Sequence, residues 1–278
     1  MNTQFLHKAE LGFLLWADNF LCNRAQAYTT HTSRLYYTPD DRLHESKIAY
    51  ASPFKGWVYD SGVQGAYIPS SISGSLGTLT EGQSGLQFDY ENGRVILNSG
   101  VGTNLNLTGT YSFKDFNIYP TNEGLEQIIV ENKYYLNSRF DRTQTGIPPY
   151  DFVTPAIFVN FSTVSNKPFA FGGLQLSQPT ASMVVLAEEP WQLQGVINTF
   201  VDAAEKYFPL VEASIDPINE SGALRSGYNY TNIAASRPAS DLVRIDSVRG
   251  SRLTDSIKTN EGLYVGLIDF QLSYARTT

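Results

Sequence analysis

Apolar residues along this chain fall into two helical stretches and a larger number of short alternating ones. Over residues 4–23, Leu6, Phe13, Leu14, Phe20 and Leu21 recur at mixed three- and four-residue steps, with Leu15 and Trp16 widening the stripe. That spacing predicts a helix. A helix apolar over so much of its girth is buried, either in its own core or against a neighbouring subunit. Leu193, Ile197, Phe200, Val201, Ala204 and Phe208 predict a second helix. Pro190 suits its first turn, Glu188 and Glu189 sit near the positive end of its dipole, and Pro209 ends it.

Between the helices the period shortens. Residues 51–119 read as a run of short strands punctuated by Gly, Ser and Thr, beginning at Trp57-Val58-Tyr59. Their clearest segment is Phe88–Leu97, which carries Asn92-Gly93 at its centre. Asn-Gly accepts the positive φ angles of a type I′ turn. A two-residue loop there would pair Glu91 with Arg94, Tyr90 with Val95 and Phe88 with Leu97, placing the apolar pairs on one face and an ion pair on the other. Further strands are expected at Gln127–Tyr135, Ala156–Phe161, Ser182–Leu186, Leu242–Ile245 and Leu263–Tyr274. The continuous run Met183-Val184-Val185-Leu186 suits a central strand covered on both faces. Residues 24–50 read as a long polar surface loop carrying Tyr36 and Tyr37. The proline-rich Asp141–Pro155 reads as a connector, and 216–262 as polar and turn-rich.

These elements give an α+β class: a mixed sheet with two main helices plus an inserted antiparallel β-module. The expected division is a core domain of residues 1–50 and 120–278, with the module at 51–119.

Composition narrows the function classes. The chain has 278 residues, a net charge of −7 and one cysteine. That balance argues against sequence-independent or sequence-specific nucleic-acid binding, which calls for a basic surface. Arg244, Arg249, Arg252 and Lys258 are the best basic cluster, but Asp241, Asp246 and Asp255 interleave with them, as on a mixed solvated face. Cys22 has no intrachain disulfide partner and lies in an apolar stretch, where it behaves as a small hydrophobe. No segment has the length of a membrane-spanning helix. Glu10 and Asp18 bracket the apolar run at the start too closely for a secretory leader.

The search for chemistry yields little. His7, His31 and His44 have no zinc-site spacing. No Gly-x-Ser-x-Gly elbow is present, and the glycines around 74–85 lack the Gly-Lys-Ser/Thr ending of a phosphate loop. Glu188-Glu189 already have a helix-dipole role, and Asp40-Asp41 sit in a turn. The reading is non-enzymatic, with no cofactor and no metal.

Four segments carry a resemblance: Phe13-Leu14-Leu15-Trp16-Ala17-Asp18-Asn19-Phe20, the hairpin Phe88–Leu97, Tyr111-Ser112-Phe113-Lys114-Asp115-Phe116-Asn117, and Gly266-Leu267-Ile268-Asp269-Phe270. Together they resemble virion structural proteins of tailed bacteriophages, nearest to neck and tail-completion components of long-tailed phages. The resemblance implies a homo-oligomeric ring, six- or twelve-fold, at the head–tail junction. It implies other neck and tail proteins as partners, assembly in the host cytoplasm, and no membrane. Trp16, Phe20, Tyr36, Tyr37, Glu91, Arg94, Arg249 and Arg252 are the candidate subunit or partner contacts. The alternatives are a baseplate, fibre-attachment or capsid-decorating protein, and a glycan-binding β-protein using Trp57, Tyr59, Tyr67 and Tyr111 as stacking platforms.

Overall fold

A computed structural model describes residues 5–131, 134, 136–138, 152–168, 174–218, 224–253 and 262–277. The proline-rich stretch 141–151, Asp255 and Lys258 lie outside them. The described residues form four α-helices: α1 (Phe5–Ala25), α2 (Leu125–Ile129), α3 (Pro190–Val201) and α4 (Tyr230–Ala235). The first half of the chain supplies strands β1 (Tyr28–Thr38), β2 (Lys47–Ala51), β3 (Ser71–Gly74), β4 (Gly77–Thr80), β5 (Gln87–Asp89), β6 (Arg94–Asn98), β7 (Leu107–Lys114) and β8 (Asn117–Pro120). The second half supplies β9 (Leu136–Ser138), β10 (Phe152–Thr154), β11 (Ala156–Pro168), β12 (Leu174–Ala187), β13 (Tyr207–Pro209), β14 (Leu242–Arg252) and β15 (Tyr264–Thr277). This is an α+β protein with a mixed sheet.

Two sheets carry the architecture. The first has the order β4-β3-β7-β1-β2-β6-β5. Its edge strands β4 and β5 are consecutive in the chain and joined only by residues 81–86, so the sheet curls round until its edges nearly meet. Inside it lie Leu35, Ile48, Ile72, Phe88, Val95 and Leu107, with Trp57 stacked on Tyr111 at 4.6 Å. The second has the order β13-β14-β15-β12-β11-β8 and is antiparallel apart from the parallel pair β8–β11. Met183, Val184, Val185 and Leu186 of its central strand are all buried, alternately against the α1–α3 side and the α2 side.

Helix α1 lies where these parts meet. One side packs Phe13 and Trp16 against α3, β13 and the second sheet, with Phe13 5.0 Å from Phe270 and 5.5 Å from Phe208. Its other side brings Cys22 onto Val58 and Val63 of the first sheet's loop. Contact with both parts explains the wide apolar girth. Gly12 marks the closest approach, because a Cβ there would overlap the carbonyl oxygen of Pro209.

Four sequence expectations need correction. Residues 24–50 are not a loop, since they hold β1 and β2. The helix of 190–208 stops at Val201; Glu205 turns the backbone at φ 65° and Phe208 enters the core from β13. Within Gln127–Tyr135, residues up to Ile129 belong to α2, and Tyr135 lies outside the described residues. The hairpin pairs Phe88 with Val95 and Asp89 with Arg94, two residues away from the expected register. A two-residue slip keeps every side chain on its face, so Phe88 and Val95 are still buried together. The Glu91–Arg94 pair does not form. The first sheet draws its strands from residues 28–114.

Candidate functional site

The first buried charge network fixes the hairpin. Arg94 lies inside, its Nη1 2.8 Å from Asp40 Oδ2 and its Nε 2.7 Å from Asp89 Oδ2. Asp40 also accepts from Arg42 Nε at 3.1 Å. Burial acts to raise the Asp40 carboxyl, but the bonds from Arg42 and Arg94 more than offset it and hold its pKa below the usual carboxylate range. Glu91 points elsewhere, into the cavity that holds Lys114, and leaves Arg94 to the two aspartates.

A second network joins the sheets. Where β7 passes into β8, α1 and both sheets enclose a cavity of about 370 Å³ lined by Asp18, Lys55, Tyr59, Lys114, Asn117 and Tyr119, among others. Lys114 Nζ lies 2.7 Å from Asp18 Oδ1 and 4.3 Å from the Tyr59 ring centroid. Burial opposes the Lys114 charge, yet the Asp18 carboxylate holds its pKa above the ordinary lysine value. Burial pushes the Tyr59 phenol up, and Tyr119 up to about 12. The lysine therefore stays cationic and both phenols stay neutral at neutral pH. Glu91 lines the same cavity, and burial first, with Asp89 adding to it, raises its carboxyl above the usual carboxylate range. The visible role of this network is to tie α1 to the first sheet. Asp60 does the same nearby, accepting from Asn19 Nδ2 at 2.7 Å and from the Tyr230 backbone N–H at 3.0 Å.

The outer surface differs in character. Trp191, in the first turn of α3, is 70% exposed. It stands at the rim of a groove of about 370 Å³ floored by Leu21, Ala25, Ala27, Phe116 and Val196, with Gly195 leaving a notch beside the indole. An indole placed so openly beside an apolar depression is a feature of protein-binding surfaces. Trp191 was not among the residues singled out from the sequence. The signal was available, because it is out of phase with the buried stripe Leu193, Ile197, Phe200.

The eight candidate contact residues divide. Trp16 is buried and Phe20 half-buried, stacked on each other at 5.0 Å in the core beneath α3. Arg94 is buried and held by its two aspartates. Tyr36 and Tyr37 are exposed on β1, Glu91 at the hairpin turn is solvent-accessible and lines the Lys114 cavity, and Arg249 and Arg252 are exposed on β14. Of the four aromatics considered for sugar stacking, Trp57 and Tyr111 are fully enclosed, Tyr59 is half-buried and Tyr67 is 44% exposed.

No protein-family model matches the chain, and no curated protein matches it. Among the described residues, no cluster of three His, Cys, Asp or Glu side chains is placed to hold a metal ion, and no helix is long and apolar enough to cross a membrane.

Proposed function

We propose that this protein is a non-enzymatic structural subunit of a tailed-phage virion, forming a ring at the neck between capsid and tail. The observation that carries the assembly part of this reading is Trp191, 70% exposed above an apolar groove. An isolated chain gains nothing from that arrangement; a neighbour that fills the groove would bury the indole and the groove wall together. The four phage-like segments supply the placement in the particle. Three of them, around Trp16, Phe113 and Phe270, build the packed centre of the fold, and the hairpin closes the first sheet.

Three measurements test the proposal. Electron microscopy of intact particles with an antibody against this chain should label the head–tail junction, and labelling elsewhere would overturn the neck placement. Class averages of the purified protein should show a six- or twelve-membered ring, whereas a trimer would favour the baseplate, fibre-attachment or decorating alternative. Trp191→Ser should abolish the ring and leave the melting temperature of the chain within a few degrees of the parent. An unchanged ring would remove the groove from the interface.

A further inference from the structure

The second sheet is open at two opposite corners. β8 covers β11 only along residues 156–159, and β13 covers β14 only along 242–244. Among the described residues, no strand lies on the outer side of β11 over 161–168 or of β14 over 247–252. Both stretches are in extended conformation, and Val164–Pro168 and Arg249–Arg252 are solvent-exposed.

The direction of the open backbone groups follows from the register. The Val159 carbonyl accepts from the Thr121 N–H on the outer side. A bulge between Phe161 and Thr163 then shifts the alternation by one, so Val164 and Asn166 turn their N–H and C=O outward. On the far side, Ile245 exchanges outward bonds with Glu205 and Lys206. The bulge between Ile245 and Ser247 leaves Val248, Gly250 and Arg252 facing outward beyond it. Each edge is a row of donors and acceptors that only another extended backbone can match.

We infer that copies of this chain join edge to edge, β11 residues 161–168 of one copy pairing antiparallel with β14 residues 247–252 of the next, so that the second sheet continues through the assembly. This rests on the assembly reading above and names its partner and mode. Three geometric facts support it. First, β14, β15, β12 and β11 alternate in direction, so with an even number of strands the two outer ones oppose each other. A copy added in the same sense therefore meets its neighbour antiparallel.

Second, the side chains select a register. Val164 opposite Gly250 places Ser165 opposite Arg249 and Lys167 opposite Ser247. Moving two residues one way sets Lys167 against Arg249, a like-charge pair. Moving the other way drives β14 into Asn160, whose side chain is bonded to Glu123.

Third, this register has the pitch of a closed barrel. Within one copy Gly250 is level with Val159, through Ile268 and Met183. Bringing Gly250 opposite Val164 of the neighbour, which the bulge leaves four ladder steps beyond Val159, staggers the copies by roughly 13 Å at ~3.3 Å per residue. Four strands at ~4.8 Å span about 19 Å, so the strands tilt by about 35°, at the lower end of the range of about 35–45° found in closed barrels. A heterologous contact that closes gives a ring, which is the symmetry the proposed function requires.

The test uses the full-length chain. Val164→Pro and Arg252→Pro each remove one outward N–H and leave the strand's own ladder intact, as proline on an edge does. By light scattering each variant should be monomeric where the parent is oligomeric, and an equimolar mixture should give dimers and stop there, because each variant keeps one working edge. A parent that stays monomeric, a Val164→Pro variant that assembles like the parent, or a mixture that remains monomeric overturns the inference. Ser165→Cys with Arg249→Cys provides a readout independent of proline and of variant folding. Under oxidation the double variant should give a ladder of disulfide-linked oligomers in which buried Cys22 takes no part, and an oligomer with no ladder overturns the register. Assembly of the proline variants would leave the neck placement standing, while particles unlabelled at the neck would leave this interface standing.

Discussion

Arg94 on β6 binds Asp40, a residue 54 positions earlier in the turn after β1, at 2.8 Å. The link closes the turn between β1 and β2 onto the hairpin, and both side chains are almost fully buried. Removing one partner leaves the other charge in a poor solvent. Arg94→Ala should therefore cost roughly 3–5 kcal/mol, read as a fall in the urea midpoint at constant m-value. Arg94→Lys should recover only part of it, because an ammonium cannot serve Asp40 and Asp89 through separate nitrogens at fixed geometry.

The same pair makes a pH prediction. Asp40 has a folded-state pKa below its unfolded value. Its stabilising contribution is fully present above the unfolded pKa of about 4, and is lost progressively as pH falls below that toward the folded value. The stability gap between the parent and Asp40→Asn should be widest near neutral pH and should close under acid. A gap that stayed constant down to pH 2 would show that Asp40 is not held ionised by its arginines.

Phe200 is fully enclosed, with the rings of Trp16, Phe20 and Phe270 about it at 6.0–6.1 Å. Phe200→Ala should cost roughly 3–5 kcal/mol, measured by chemical denaturation. An unchanged midpoint would mean that α3 does not hold the core together at this point.

Lys114 and Asp18 form a buried pair whose halves are not equally replaceable. Lys114→Met alone should destabilise by roughly 3 kcal/mol, since it leaves the Asp18 carboxylate uncompensated. The double variant with Asp18→Leu should recover most of the loss. Additive losses in the double-mutant cycle would contradict the coupling.

Cys22 is buried and its thiol pKa is pushed up by burial first, with Asp18 adding to it. The thiolate is the reactive form. A disulfide reagent should leave the native protein unmodified and react fully after urea unfolding. Fast reaction in the folded state would place α1 off the Val58–Val63 loop.

What the sequence made legible tracks how strongly one face of each element is buried. Met183–Leu186, the terminal strand and α1 were readable because burial imposes a period on their side chains. Strand β1 was not, because Thr29 to Arg34 carry polar groups on both faces and only Leu35 of the strand is buried. The spacing extends the second helix seven residues too far because Phe208 continues the helical period by coincidence while entering the core from a strand. The hairpin turn was located but its register was missed. Asn-Gly alone implies a tight two-residue loop, whereas Asp40 and Asp89 fix the register by holding Arg94. Trp191 was overlooked for the opposite reason: it lies off the stripe that identifies its helix, and its position only gains meaning beside the groove of Leu21, Ala25 and Phe116. The open edges of β11 and β14 depend on where neighbouring strands stop, which no local pattern encodes.

Gly12 has a consequence for tracing this lineage. Helix α1 can rest on the Pro209 carbonyl only where a hydrogen replaces a side chain, so the docking of the first helix tolerates no other residue without moving the whole helix outward. A descendant could exchange nearly every apolar neighbour for another of similar volume and keep the fold. It could not exchange this one. A glycine about two turns into an apolar first helix, paired with a short proline-ended strand about 200 residues later, is therefore a fingerprint that should outlast overall likeness.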